Sequence, residues 1–184
     1  IDTGGTIVNG GALYLAYNNS VSGAGTLQGT LTVNSNALAV CSVNNALGYT
    51  GDNWVRNITL NYGTLRTDVT TDNGWGTTIN MLGGALTAGV ANGYFAMGNG
   101  PVFNITGTNV PSVISADLTV RDAAPGGIVF NVTRGTAIAD LNISGKLRYA
   151  ANGGITLNGG GIVQLTGANT YTGPTTVNAG TLLV

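Results

Sequence analysis

One pattern returns along this chain: β-branched or apolar residues take every second position, then come Asn or a small residue, then Gly, then Ala or Thr followed by Leu. It reads Thr6-Ile7-Val8-Asn9-Gly10-Gly11-Ala12-Leu13 near the start, Thr78-Ile79-Asn80-Met81-Leu82-Gly83-Gly84-Ala85-Leu86 in the middle and Thr176-Val177-Asn178-Ala179-Gly180-Thr181-Leu182 near the end. Weaker copies run from Leu31 to Val40, with Asn36 in place of Gly, and from Asn57 to Leu65. With Leu13, Leu38, Leu65 and Leu86 taken as equivalent, the spacings are 25, 27 and 21 residues. That is the irregular step of a solenoid coil. Between Leu86 and Leu182 the copies blur, although Leu118-Thr119-Val120, Leu141-Asn142-Ile143 and Ile155-Thr156-Leu157 keep a similar beat.

Each copy alternates over three to five residues and then breaks at Gly, Asn or Asp, which predicts a short strand ending in a turn. No segment keeps a helical period for three turns. A sandwich or meander of such strands would carry charges on its outer face, whereas the outward positions here are Thr, Asn and Ser. In a parallel β-helix like stacks on like, so Asn ladders and Thr rows serve where stacked charges would repel. That accounts for a chain of 184 residues with only 7% charged, against about 25% in an ordinary domain. The expectation is an all-β parallel β-helix, one β-solenoid segment over residues 1–184, of roughly eight coils at about 4.8 Å each. Gly supplies the positive φ that corners need, and Asn is the next best residue. Gly83-Gly84, Gly126-Gly127, Gly153-Gly154 and Gly159-Gly160-Gly161 are therefore expected at corners.

The composition also narrows function. The chain has no Glu, no His and one Lys, which leaves no material for His-based triads, His-ligated metals or paired-Glu acid/base catalysis. A net charge of −1 gives no basic surface for nucleic acid, and no apolar run is long enough to span a bilayer. No cofactor is expected. Disorder is excluded by a hydrophobic share of 43%. Cys41, in the run Ala37-Leu38-Ala39-Val40-Cys41, reads as a small buried hydrophobe.

The stretch Gly160-Gly161-Ile162-Val163-Gln164-Leu165-Thr166-Gly167-Ala168-Asn169-Thr170-Tyr171-Thr172-Gly173-Pro174-Thr175-Thr176-Val177-Asn178-Ala179-Gly180-Thr181-Leu182 resembles the passenger-associated β-strand repeat of bacterial autotransporters. The resemblance covers 160–184 cleanly and implies a right-handed parallel β-helix, exported and displayed or released at a bacterial surface, with no catalytic residues. Its residues also have folding reasons. Ile162, Val163 and Leu165 form a strand, Ala168-Asn169 begins a corner, Tyr171 lays its ring on the coil below, and Pro174 belongs at a corner because it cannot donate to a central ladder.

The richest polar stretch, Tyr49 to Thr77, collects Tyr49, Asp52, Trp54, Arg56, Tyr62, Arg66, Asp68, Asp72 and Trp75. Trp54, Arg56, Tyr62, Arg66, Asp68, Asp72 and Trp75 are the candidate contacts for a ligand or partner. β-Helix enzymes acting on acidic polysaccharides lay Asp and Arg along one face in this manner. Arg66 and Asp68, two apart on one strand face, equally suit an exposed ion pair. Calcium-binding nonapeptides and a strict Thr-x-Thr ice-binding row are absent from the sequence. The expected function is a structural, non-catalytic β-solenoid module of a bacterial cell-surface or secreted protein, giving reach and adhesion to a glycan or host surface. The alternative is a carbohydrate-binding or polysaccharide-cleaving β-helix that uses Tyr49 to Thr77. The chain opens at Ile1 and closes at Thr181-Leu182-Leu183-Val184, both within the repeat's own pattern. It is accordingly expected to be part of a longer array or to self-associate end to end into a filament.

Overall fold

The computed structural model describes residues 4–17, 25–48, 54–71, 78–97, 100–120, 127–148 and 153–184. Every element among them is a β-strand, and the strands are wound into rungs. β1 (Thr6–Val8) and β2 (Gly11–Leu15) open the stack, followed by β3 (Gly29–Val33) with β4 (Ala37–Cys41) and β5 (Val55–Asn61) with β6 (Thr64–Thr67). β7 (Thr78–Leu82) and β8 (Ala85–Ala88) gain a third side, β9 (Tyr94–Met97). The next two rungs keep that side, as β10 (Val102–Thr106), β11 (Ser112–Ile114) and β12 (Asp117–Val120), then β13 (Ile128–Val132), β14 (Leu141–Ile143) and β15 (Leu147–Arg148). β16 (Ile155–Asn158) with β17 (Ile162–Leu165), and β18 (Thr175–Val177) with β19 (Thr181–Leu183), complete it.

All strand pairing is parallel between successive rungs. The first long sheet runs β1-β3-β5-β7-β10-β13-β16-β18, the second β2-β4-β6-β8-β11-β14-β17-β19, and the short third sheet β9-β12-β15. The chain is thus an all-β parallel β-solenoid.

Strand alternation makes the core a set of columns, because a period of two sends every second side chain inward. One interior column of the first sheet is Leu31, Ile58, Ile79, Phe103, Phe130 and Leu157, all essentially inaccessible to solvent. Phe103 and Phe130 lie with ring centroids 5.1 Å apart and tilted 33°. Leu65 and Leu86 are register partners and both fully buried. At Leu38 the structure corrects the sequence reading: the residue beside Leu13 and Leu65 is Ala39. Ala39 is fully buried and Leu38 only partly so. The corner Asn34-Ser35-Asn36 carries one residue more than Asn9-Gly10, and one added residue moves the inward set by one. The three segments with a similar beat, 118–120, 141–143 and 155–157, belong to three different sheets.

The outward positions form the ladders that a charge-poor sequence favours. The side-chain amide of Asn34 donates to Asn9 Oδ1 at 2.7 Å and that of Asn61 to Asn34 Oδ1 at 3.2 Å. A second ladder, two positions over, runs Asn104 to Asn80, Asn131 to Asn104, Asn158 to Asn131 and Asn178 to Asn158 at 2.9–3.0 Å. Every one of these amides donates to the rung nearer the N-terminus. The offset falls between β5 and β7, where Asn61 pairs with Leu82 instead of another Asn.

Left-handed backbone marks the corners at Gly83, Gly127 and Gly159, and Asn36, Asn45 and Asn92 adopt it too, as expected for residues that tolerate αL. Tyr62 does so at φ 54°, which a bulky side chain rarely adopts. Its ring lies on Gly83 in the corner of the next rung, where a Cβ would come within 2.4 Å of the ring. Pro174 stands just ahead of β18, and its carbonyl accepts from Ile155 N at 3.0 Å.

Candidate functional site

The described members of the Tyr49 to Thr77 group lie at three places on one coil. Trp54 and Arg56 sit at the start of β5 on the first sheet, with the guanidinium carbon 5.9 Å from the indole centroid. This is within reach of a cation–π contact. Tyr62 occupies the corner between β5 and β6, and Arg66 and Asp68 lie at the end of β6 on the second sheet. Tyr49, Asp52, Asp72 and Trp75 lie outside the described residues.

Arg66 and Asp68 form a two-point pair, with Nε donating to Oδ1 at 2.7 Å and a terminal nitrogen to Oδ2 at 2.8 Å. The reason is local: residues two apart on a strand share a face, and the planar guanidinium matches a carboxylate. Hydrogen bonding to Asp68 holds the Arg66 guanidinium above its ordinary pKa. Gly89, one rung on, lies under the pair, and a Cβ there would meet Asp68 Oδ1 at 2.1 Å. About 30% of each side chain stays exposed, so the pair adds at most about 1 kcal/mol to stability. Asp68 also lines an open groove of about 380 Å³ with Val69, Thr70, Thr71 and Val90.

Cys41 lies in the interior beneath this face, and burial raises its thiol pKa far above the ordinary value, with the charge of Asp68 adding to the effect. Thiol nucleophilicity needs the thiolate, so this group is chemically quiet at neutral pH.

Two polar knots stand elsewhere. The Asp140 side chain is completely buried, and its carboxylate accepts from Arg134 at 2.9 Å, Gly135 N at 2.7 Å and Ile162 N at 2.8 Å. On the third sheet Arg148 donates to Asp117 at 2.8 Å and lies 4.9 Å above the Tyr94 ring, joining three rungs. The Asp117 to Arg148 separation is about one coil, which is the only trace of that contact in the sequence. Arg134 and Asp140 lie in a loop that carries no repeat pattern. Among the described residues no group of three or more His, Cys, Asp or Glu is placed to hold a metal ion, and no helix is long and apolar enough to cross a membrane.

The arrangement defines a class: a parallel β-solenoid whose polar side chains chiefly bind its own rungs to one another. The sequence model of the passenger-associated-transport-repeat family matches residues 155–184, the span from β16 to the C-terminus. This match and the fold together identify the chain as an autotransporter passenger repeat protein. Neither a curated protein nor a solved structure matched it.

Proposed function

We propose that this chain is a non-catalytic structural module of a surface-displayed or secreted bacterial protein, providing reach and rigidity and presenting adhesive surface. Its end rungs accept a further coil of the same pattern. The observation that carries the reading is the identity of pattern at the two ends. Thr6-x-Val8-Asn9-x-Gly11-x-Leu13 and Thr175-x-Val177-Asn178-x-Gly180-x-Leu182 have one spacing. A coil built like the first one and laid on the last sets Val8 against Val177, Asn9 against Asn178 and Leu13 against Leu182. Because each ladder amide donates toward the N-terminal rung, the incoming Asn9 amide meets the Asn178 Oδ1 with the right polarity. The apolar surface is there to be covered: Val177 is 46% and Leu183 42% exposed. Charge does not oppose the approach, since no charged residue lies in either matched segment.

Sedimentation and electron microscopy of the purified chain test this. The expected result is rods whose lengths are multiples of about 40 Å at high concentration, reduced to single units by Val177→Lys, which puts a charge on the last rung. Compact particles that stay monomeric at every concentration would contradict the stacking, and a frictional ratio typical of a sphere would contradict the rod.

A further inference from the structure

The corners joining the two long sheets are short in most rungs, but in two neighbouring ones they swell, to residues 107–111 between β10 and β11 and 133–140 between β13 and β14. The two loops are tied into a double layer. Thr136 N and Ala137 N both donate to the Thr108 carbonyl, at 2.9 and 3.0 Å, and Gly107 N donates to Thr133 Oγ1. Thr108 closes the first loop with bonds to and from Val110, and the buried Asp140 carboxylate anchors the second loop to β17 through Ile162 N. This firm support holds Ile138 out in water, 92% exposed.

Beside that side chain the loops and the outer face of the second sheet enclose an open cleft of about 380 Å³. Its walls are apolar at Pro111, Ala137, Ile138 and Ala139 and carry amides at Asn109, Asn142 and Gln164. Asn142 stands out among these. In the first sheet each ladder Asn accepts from an Asn one rung on, but Asn142 is flanked by Val113 on one side and Gln164 on the other. Val113 has nothing to donate, and the Asn142 Oδ1, inaccessible to solvent, has no hydrogen-bond partner. A buried acceptor without a donor costs about 1–3 kcal/mol, and an aliphatic residue of the same shape would avoid that cost.

We propose that this cleft is a binding site for a neutral saccharide unit. No lining residue is charged, so nothing in it recognises an acidic sugar, a phosphate or an ammonium group. A sugar ring presents an apolar face to Ile138 and Pro111 and hydroxyls to the three amides. A hydroxyl is also the donor that Asn142 Oδ1 lacks. Amide-bearing clefts with a few placed polar groups on apolar walls are the usual form of a small-ligand site. This site is separate from the Trp54 and Arg66 surfaces and does not depend on end-to-end stacking.

The test is binding of the full chain to an array of neutral hexose- and N-acetylhexosamine-containing oligosaccharides, followed by titration of the strongest hit. The parent is expected to bind, and both Asn142→Leu and Ile138→Ala to weaken binding by about tenfold or more, with Trp54→Ala unchanged. Asn142→Leu is expected to melt at or above the parent temperature, because it removes the orphaned acceptor while keeping the volume. That combination of unchanged or higher stability with lost binding separates a ligand contact from a structural one. No binding to any neutral oligosaccharide, equal binding by both cleft variants, or loss confined to Trp54→Ala would each overturn the proposal.

Discussion

At the scale of single residues the chain replaces charge with amides, hydroxyls and glycine. Stacked like charges repel at the spacing of rungs, whereas an Asn offers both a donor and an acceptor and so bonds to a copy of itself above and below. The ladders from Asn9 to Asn61 and from Asn80 to Asn178 are the result. This much was legible from composition, as was the burial of Cys41. The positive φ of Tyr62 was not, because it depends on Gly83 being bare one rung away. Cys41 supports a pH prediction. Its thiol stays protonated in the fold, whereas in the unfolded chain it ionises near pH 9.0. Above that pH the folded state holds the extra proton, so stability falls as pH rises. Urea titrations of the parent and Cys41→Ala should show the parent losing about 2 kcal/mol relative to the variant between pH 8 and pH 10.5. Parallel pH profiles would mean the thiol is not held neutral.

At the scale of elements, strand length and corner length share control of the register. The copies at Thr6, Thr78 and Thr176 could be recognised because their corners are short, so the alternation carries through from the first sheet to the second. Leu38 misled because the Asn34-Ser35-Asn36 corner carries an added residue, and the pattern after it looked intact while every side chain had moved across. The third sheet, β9-β12-β15, left little trace: strands of two to four residues give too few alternations to assign a side. The columns have measurable consequences. Leu86→Ala leaves a cavity between Leu65 and Ile114, its partners in the column, and is expected to cost about 2–5 kcal/mol. Thr87→Ala, on the outward face of the same strand, is expected to change the melting point little. Equal effects from the two in thermal denaturation would mean that β8 is turned over.

At the scale of the whole molecule, function follows from repetition. A stack whose rungs are bonded mainly to their neighbours behaves as a one-dimensional object: it transmits length and stiffness, and it offers loops where corners swell, as they do around Ile138. The family resemblance at 160–184 was readable because that coil keeps the repeat motif, and the family match begins slightly earlier, at Ile155. The candidate contacts were less readable. Trp54, Tyr62 and Arg66 are neighbours in sequence but belong to a sheet, a corner and another sheet, and sequence proximity within a coil does not fix which side a residue occupies. The Asn142 cleft lies in loops that break the repeat, where pattern reading has nothing to compare. The central claim is that one rigid, in-register parallel column runs through the chain. Spin labels at Thr30→Cys and Thr156→Cys in a Cys41→Ala background test it by electron-electron distance measurement. Five rung steps separate these positions along one outward column, so the expected result is a narrow distribution centred near about 24 Å. A broad distribution, or a mean distance inconsistent with five parallel steps, would contradict the account.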